Sequence, residues 1–103
     1  MNYSEAMGVA IVRPAGVASG QLVPSSPYRV GLVLTSAGSG IVTYSPSNPA
    51  VLGQGIVLAA GTEPLILTID QVGQLVQREW NVIHSVGGLS VEVYEIYNRV
   101  PLR

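Results

Sequence analysis

Trp80-Asn-Val-Ile-His-Ser-Val86, then Gly87-Gly88, then Leu89-Ser-Val-Glu-Val-Tyr-Glu95 is the stretch whose reading decides the fold. Two apolar-rich runs flank a glycine pair, the pattern of a β-hairpin closed by a primed turn. With Val86 facing Leu89, His84 pairs with Val91, Val82 with Val93 and Trp80 with Glu95. One face then carries Trp80, Val82, His84, Val86, Leu89, Val91 and Val93. Asn81, Ile83, Ser85, Ser90, Glu92 and Tyr94 take the other. A slip of one residue would undo this segregation, so the register is well specified.

Outward from this stretch, glycine (12) and proline (7) leave little room for long helices in a chain of 103 residues. An all-β domain is the consequence. Tyr28–Thr35 reads as a strand with Tyr28, Val30, Leu32 and Leu34 on one face and Arg29, Gly31, Val33 and Thr35 on the other. Ile41–Tyr44 returns after the turn Ser36–Gly40. Ser45–Pro49 is a loop, Ile56–Ala60 a further strand, and Gly61–Pro64 a turn. Leu65-Ile-Leu-Thr-Ile69 is apolar on both parities, which predicts a strand covered on both faces. Asp70–Gln74 reads as a turn containing a single helical turn. Seven or eight short strands at this spacing describe a single-domain antiparallel β-sandwich, and hairpins in both halves are compatible with a jelly roll.

The ends differ in texture. Gly8–Arg13 has strand character, but Pro14, Gly16, Gly20, Pro24 and Pro27 break the chain between there and Tyr28. Residues 1–27 therefore read as an extended N-terminal arm, 28–97 as the sandwich core and 98–103 as a surface tail.

Composition narrows the function. Hydrophobic residues make up 48% and charged residues 11%, a sparse charge for a lone soluble domain and a suitable one for a protein covered within an assembly. The five arginines are scattered and lysine is absent, so nucleic acid is not an expected partner. The start lacks a secretory pattern, and no apolar run is long enough to span a membrane, so no membrane partner is expected. With zero cysteines there is no disulfide, thiolate site or cysteine nucleophile.

Residues that could carry chemistry do not combine. His84, the single histidine, falls on the apolar face, and no Asp or second His lies at ligand spacing. Glu92 and Glu95 read as solvated strand residues, and Trp80 as a core anchor rather than a sugar platform. Gly38-Ser-Gly40 and Gly53-Gln-Gly55 lack the lysine and the adjoining helix of a phosphate loop. No catalytic residue, metal site or cofactor is expected, and the chain reads as a non-enzyme.

The order of segments resembles small β-sandwich virion proteins of tailed bacteriophages, of the capsid cement (decoration) and head-fibre type. Tyr28-Arg-Val-Gly-Leu-Val-Leu, Gly55-Ile-Val-Leu-Ala-Ala-Gly61, Gln74-Leu-Val-Gln-Arg-Glu-Trp-Asn-Val-Ile83, Gly87-Gly88 and Val91-Glu-Val-Tyr-Glu95 carry the resemblance, which spans Tyr28 to Glu95. It implies a jelly-roll-like sandwich, commonly a homotrimer, that is made in the host cytoplasm and sits on the virion's capsid surface. The implied partner is the major capsid protein, held through protein–protein contacts that stabilise the shell. Arg13, Pro14, Val17, Leu22, Pro24 and Pro27 of the arm are then the expected partner-binding residues. The alternative is a head-fibre or tail adhesin, or a carbohydrate-binding sandwich, presenting Tyr44, Tyr94 or Tyr97 as an aromatic platform.

Overall fold

The two runs of the Trp80–Glu95 stretch are strands, but they do not pair with each other. The computed structural model describes residues 7–98. In it β7 (Trp80–His84) and β8 (Leu89–Tyr97) belong to different sheets. The expected hairpin is instead a crossover: residues 85–88 carry the chain from one layer to the other, with both Gly87 and Gly88 at positive φ. Alternation of apolar and polar residues marks a strand with one buried face. It reads the same whether the partner run lies beside it or across a core about 10 Å thick.

The other strands are β1 (Met7–Ala15), β2 (Gly20–Val23), β3 (Arg29–Leu34), β4 (Ile41–Ser45), β5 (Ile56–Ala59) and β6 (Leu65–Thr68). The first sheet has the order β1-β8-β3-β6 and the second β2-β7-β4-β5, with every pairing antiparallel. Only the β4–β5 connection joins neighbours within one sheet; the other six cross between layers. This order is that of a jelly-roll β-sandwich. Between β6 and β7 lie a one-turn helix α1 (Ile69–Val72), matching the helical turn expected within Asp70–Gln74, and a 3-10 stretch (Gly73–Gln77) that extends it.

The N-terminal arm is not an arm over its described part. β1 pairs with β8 along its whole length, from Met7 opposite Tyr97 to Ala15 opposite Leu89. β2 pairs with β7. Ala15, Leu22 and Val23 are fully buried core residues. The prolines and glycines that suggest an arm sit at strand ends and in the connections 16–19 and 24–28, where jelly-roll corners need them. Residues 1–6 and 99–103, which include most of the expected tail, lie outside the described residues. Asn98 is buried, its N–H donating to the Tyr28 carbonyl at 2.8 Å.

The core lies between the sheets. Leu32, Leu34, Val91 and Val93 enter it from the first sheet, and Leu22, Val42, Tyr44, Trp80 and Val82 from the second. Trp80 is buried as expected, its indole N–H donating to the Leu75 carbonyl at 3.1 Å. Tyr44 reaches the Thr35 carbonyl at 2.7 Å and so ties β4 to the end of β3.

One charged pair is embedded in this apolar layer. Register slips between Arg29 and Gly31, and the bulge turns Arg29 inward instead of onto the outer face. Its Nε donates to Glu95 Oε2 at 2.9 Å, with both side chains buried. Its Nη1 donates to the carbonyls of Val76 (3.1 Å) and Arg78 (2.9 Å), and its Nη2 to that of Pro24. Tyr97 donates its hydroxyl to the same Glu95 oxygen. Glu95, expected at a solvated sheet end, is therefore a core residue.

Arg29→Met removes one half of a buried pair and orphans three carbonyls, so it should cost about 3–5 kcal/mol in urea unfolding. A loss under 1 kcal/mol would contradict this role for the guanidinium. Burial raises the pKa of Tyr44 above its ordinary value, and burial together with the neighbouring Glu95 raises that of Tyr97. The folded chain thus holds these protons more tightly than the unfolded one. The resulting stability is complete below about pH 10 and is lost as pH rises beyond it. Tyr44→Phe should move the alkaline unfolding limb to higher pH, as tracked by circular dichroism. At neutral pH it should weaken the fold by about 1 kcal/mol through the lost bond to Thr35.

Candidate interaction surface

The connections gather at two ends of the sandwich. At one end meet 16–19, 35–40, 60–64 and 85–88, and His84 is their hub. Its Nε2 donates to the Ser39 carbonyl at 2.6 Å, and its Nδ1 accepts from the N–H groups of Val86 (3.1 Å) and Gly87 (3.0 Å). A carbonyl can only accept and an N–H can only donate, so these partners define the neutral ring with its proton on Nε2. The His84 N–H donates to the Gly16 carbonyl at 2.8 Å, and Ser85 Oγ accepts from the Ile41 N–H at 2.9 Å. His84 thus fastens a corner with both ring nitrogens occupied by backbone. Glu95 is committed to Arg29, and Glu92 is exposed on the outer side of the first sheet. Among the described residues no three of His, Asp and Glu come together as metal ligands.

At the other end meet 24–28, 46–55 and the helical segment 69–79. Ser26 N–H donates to the Gln77 carbonyl at 2.8 Å, and Gln77 Nε2 to the Pro27 carbonyl at 2.8 Å. An open groove of about 580 Å³ lies here, walled by Ser25, Ser26, Pro27, Gln74, Leu75 and Arg78.

The residues expected to bind a partner are not assembled into one surface. Val17 is exposed at the His84 end, where Gly87 packs against it, and Pro14 is exposed on β1 opposite Ser90. Arg13 is half-buried, its Nε donating to the Leu22 carbonyl at 3.0 Å. Leu22 is core, which removes it as a contact. Pro24 and Pro27 stand at the opposite end from Val17, and their carbonyls serve Arg29 and Gln77.

What the structure does present is a contrast between two outer sheet faces. On that of the second sheet the chain's own loop 46–55 lies over polar side chains, with Ile41 and Val57 exposed beside it. There Asn81 Nδ2 donates to the Ser47 carbonyl (2.8 Å), Thr43 Oγ1 accepts from the Gly53 N–H (3.1 Å), and Ser19 Oγ accepts from the Ala50 N–H (2.7 Å). Thr43, Ser45 and Asn81 are buried as a result; Asn81 points to the outer face as expected, but the loop covers it.

Among the described residues no such loop lies over the first sheet. Ala10, Tyr94, Val33 and Ile66 form one row straight across its four strands. Val12 and Ile96 flank the row. Val12 is 62% exposed, Ile66 54% and Tyr94 42%. Glycines smooth this face: a Cβ on Gly8 would collide with the Tyr94 ring, which lies over it, and Ile96 fills the space at Gly31. The expectation for β6 is a strand covered on both faces. Within the chain only Leu67 and Ile69 are covered, and Ile66 is bare. That two-sided apolar pattern is the sequence signal for this face, and it is indistinguishable from the signal of a strand inside the fold.

Tyr94 is accessible, whereas Tyr44 is buried. The neighbours of Tyr94 are mostly aliphatic rather than the hydroxyls and amides that would address a sugar's hydroxyl groups.

Over the described residues these features define a jelly-roll sandwich of eight strands whose first sheet leaves an apolar outer face uncovered. No protein-family model matches the chain, and no curated protein matches it in sequence. Among solved structures, the fold is similar to that of a chain from Bacillus endospore appendages, described as a novel family of disulfide-linked pili. The TM-score is 0.58 at 16% identity, covering 90% of this chain and 86% of that one. At that identity the likeness is one of fold.

His84→Ala should leave the Ser39 carbonyl and two N–H groups without partners in a packed corner. The expected cost is about 2–4 kcal/mol in chemical denaturation. A change under about 0.5 kcal/mol, within the scatter of surface substitutions, would show that the corner does not depend on the ring.

Proposed function

We propose that this chain is a structural subunit of a multi-copy protein assembly, acting by packing against other subunits and not by catalysis. The observation that carries the reading is the apolar outer face of the first sheet, left uncovered by the described residues, on a chain with only 11% charged residues. The only histidine is engaged with backbone and the buried carboxylate with a buried arginine, so both have structural roles. Among the described residues no helix is long and apolar enough to cross a membrane.

The finer form of the proposal is a capsid cement subunit that binds the major capsid protein on a phage head. The segment order from Tyr28 to Glu95 supports it, and so does a face able to lie on another protein surface. The fold likeness to an endospore appendage favours a second form, a subunit of a filamentous surface appendage. That neighbour is described as disulfide-linked, and this chain has zero cysteines, so cohesion here would not rest on disulfides.

The test is to mix the purified chain with undecorated shells assembled from the major capsid protein encoded nearest to it, and to image the chain alone by negative-stain electron microscopy. Saturable co-sedimentation with the shells is expected for the cement form, and ordered filaments of the chain alone for the appendage form. A chain that does neither, and shows no self-association up to millimolar concentration, is not a structural subunit.

A further inference from the structure

We infer that the outer face of the first sheet is a self-association surface, occupied by the same face of a second copy of this chain. The inference rests on the structural-subunit reading and deepens it by naming the partner.

Size is the first support. Four strands about 4.8 Å apart, over five residues rising about 3.4 Å each, give a footprint of roughly 19 by 17 Å. Two such faces remove on the order of 1,000 Å² of accessible surface in total once side-chain relief is counted, the threshold for a specific contact.

Shape is the second. The row across the sheet runs Ala10, Tyr94, Val33, Ile66, that is small, large, medium, large. A two-fold axis parallel to the strands, in the plane between the copies, reverses the row. It sets Ile66 over Ala10 of the second copy and Tyr94 over its Val33, so that large side chains meet smaller ones on both sides. The Tyr94 ring, laid over Gly8, and the filled space at Gly31 leave the face low enough for two sheets to approach.

Charge sets the limit of the contact. Glu92, opposite Val12 and beside Thr35, is the acidic residue of this face. The same axis places Glu92 over Thr35 of the second copy and leaves the two Glu92 side chains on neighbouring columns, roughly 5 Å apart laterally. Glu92 is exposed and lies beyond Leu34 and Leu65, the last residues paired across the sheet, so its row is the solvent-facing rim of the contact. A foreign partner would have to supply an equally flat, neutral, apolar surface, whereas a second copy supplies one with matched relief. The second sheet also exposes apolar side chains, Ile41 and Val57, but its own loop 46–55 lies beside them and no apolar row crosses all four strands there.

The experiment is sedimentation equilibrium of the full chain from low micromolar to millimolar concentration. It is run on wild type, Ile66→Glu and Val12→Glu, with Val86→Glu at the exposed His84 end as control; circular dichroism verifies folding of each. A concentration-dependent dimer is expected in wild type and in Val86→Glu, with association at least tenfold weaker in Ile66→Glu and Val12→Glu. Because the chain has no cysteine, single-cysteine variants give an independent readout that tolerates failure of any one variant to fold. Val33→Cys, near the proposed axis, should be linked into a dimer by a short bis-maleimide crosslinker faster than Val86→Cys. A wild-type monomer throughout, an oligomer that persists in both glutamate variants, or equal crosslinking at the two positions would overturn the inference. A monomer that still binds shells would overturn only this inference and leave the structural-subunit reading standing.

Discussion

The arrangement at one end of this sandwich depends on a single buried guanidinium. Arg29 has no access to water, so its charge must be met inside the protein by Glu95 and its remaining donors by the carbonyls of Pro24, Val76 and Arg78. Burying that charge is expensive, and the cost is offset only when all of these partners are in place. The requirement joins pieces remote in sequence: the bulge of β3, the end of β8, the connection after β2 and the close of the 3-10 stretch. The last of these would otherwise end with unsatisfied carbonyls, since a short helical segment cannot bond its own final groups. Tyr97 adds a second donor to Glu95, so the carboxylate is held from two directions rather than one.

At the opposite end the same task falls to a neutral ring. His84 gathers the Ser39 carbonyl and the Val86 and Gly87 N–H groups at the place where the chain crosses from the second sheet to the first. Six of the seven connections cross between layers, which makes the corners the places where backbone groups most need partners that no strand ladder supplies. Arg29 and His84 fill that need with side chains, and between them the apolar layer from Leu22 to Val93 occupies the body. Polar chemistry in the interior is thus committed to closing the fold.

Strand positions in the core region and the sandwich class are legible in the sequence, because periodic burial leaves its mark on each strand separately. Sheet membership is not. Trp80–Val86 and Leu89–Glu95 have the alternation and the glycine pair of a hairpin, and nothing local distinguishes that from a crossover whose strands face each other across a core. The choice is made elsewhere, by β2 and β4 occupying both edges of β7 and by β1 and β3 occupying those of β8. The described part of the N-terminal segment looks like an arm for a related reason. Pro14 to Pro27 is broken by turn residues because it contains two corners, and its strand β2 is only four residues long, with Leu22 and Val23 as its buried pair. Parity alone sets Arg29 on the outer face, because alternation cannot foresee a bulge. Of the candidate surface, the outward position of Tyr94 is legible, but that of Ile66 is hidden because its strand is apolar on both sides.

That ambiguity bears on how the molecule works. A strand apolar on both sides is what a sequence looks like when both of its faces are covered, and β6 has one face covered by its own chain. The second sheet shows how this chain covers a face when it does so itself: a loop of ten residues, 46–55, is hydrogen-bonded onto threonine, serine and asparagine side chains. Among the described residues the first sheet has no such loop, and it presents aliphatic side chains, an aromatic ring laid flat and glycines that permit it. An apolar surface of this kind gains free energy by leaving water, while a polar one must first find hydrogen-bond partners. Over the described residues the two outer faces therefore differ in what they can accept: the second holds a loop on polar side chains, and the first leaves a row of apolar side chains uncovered.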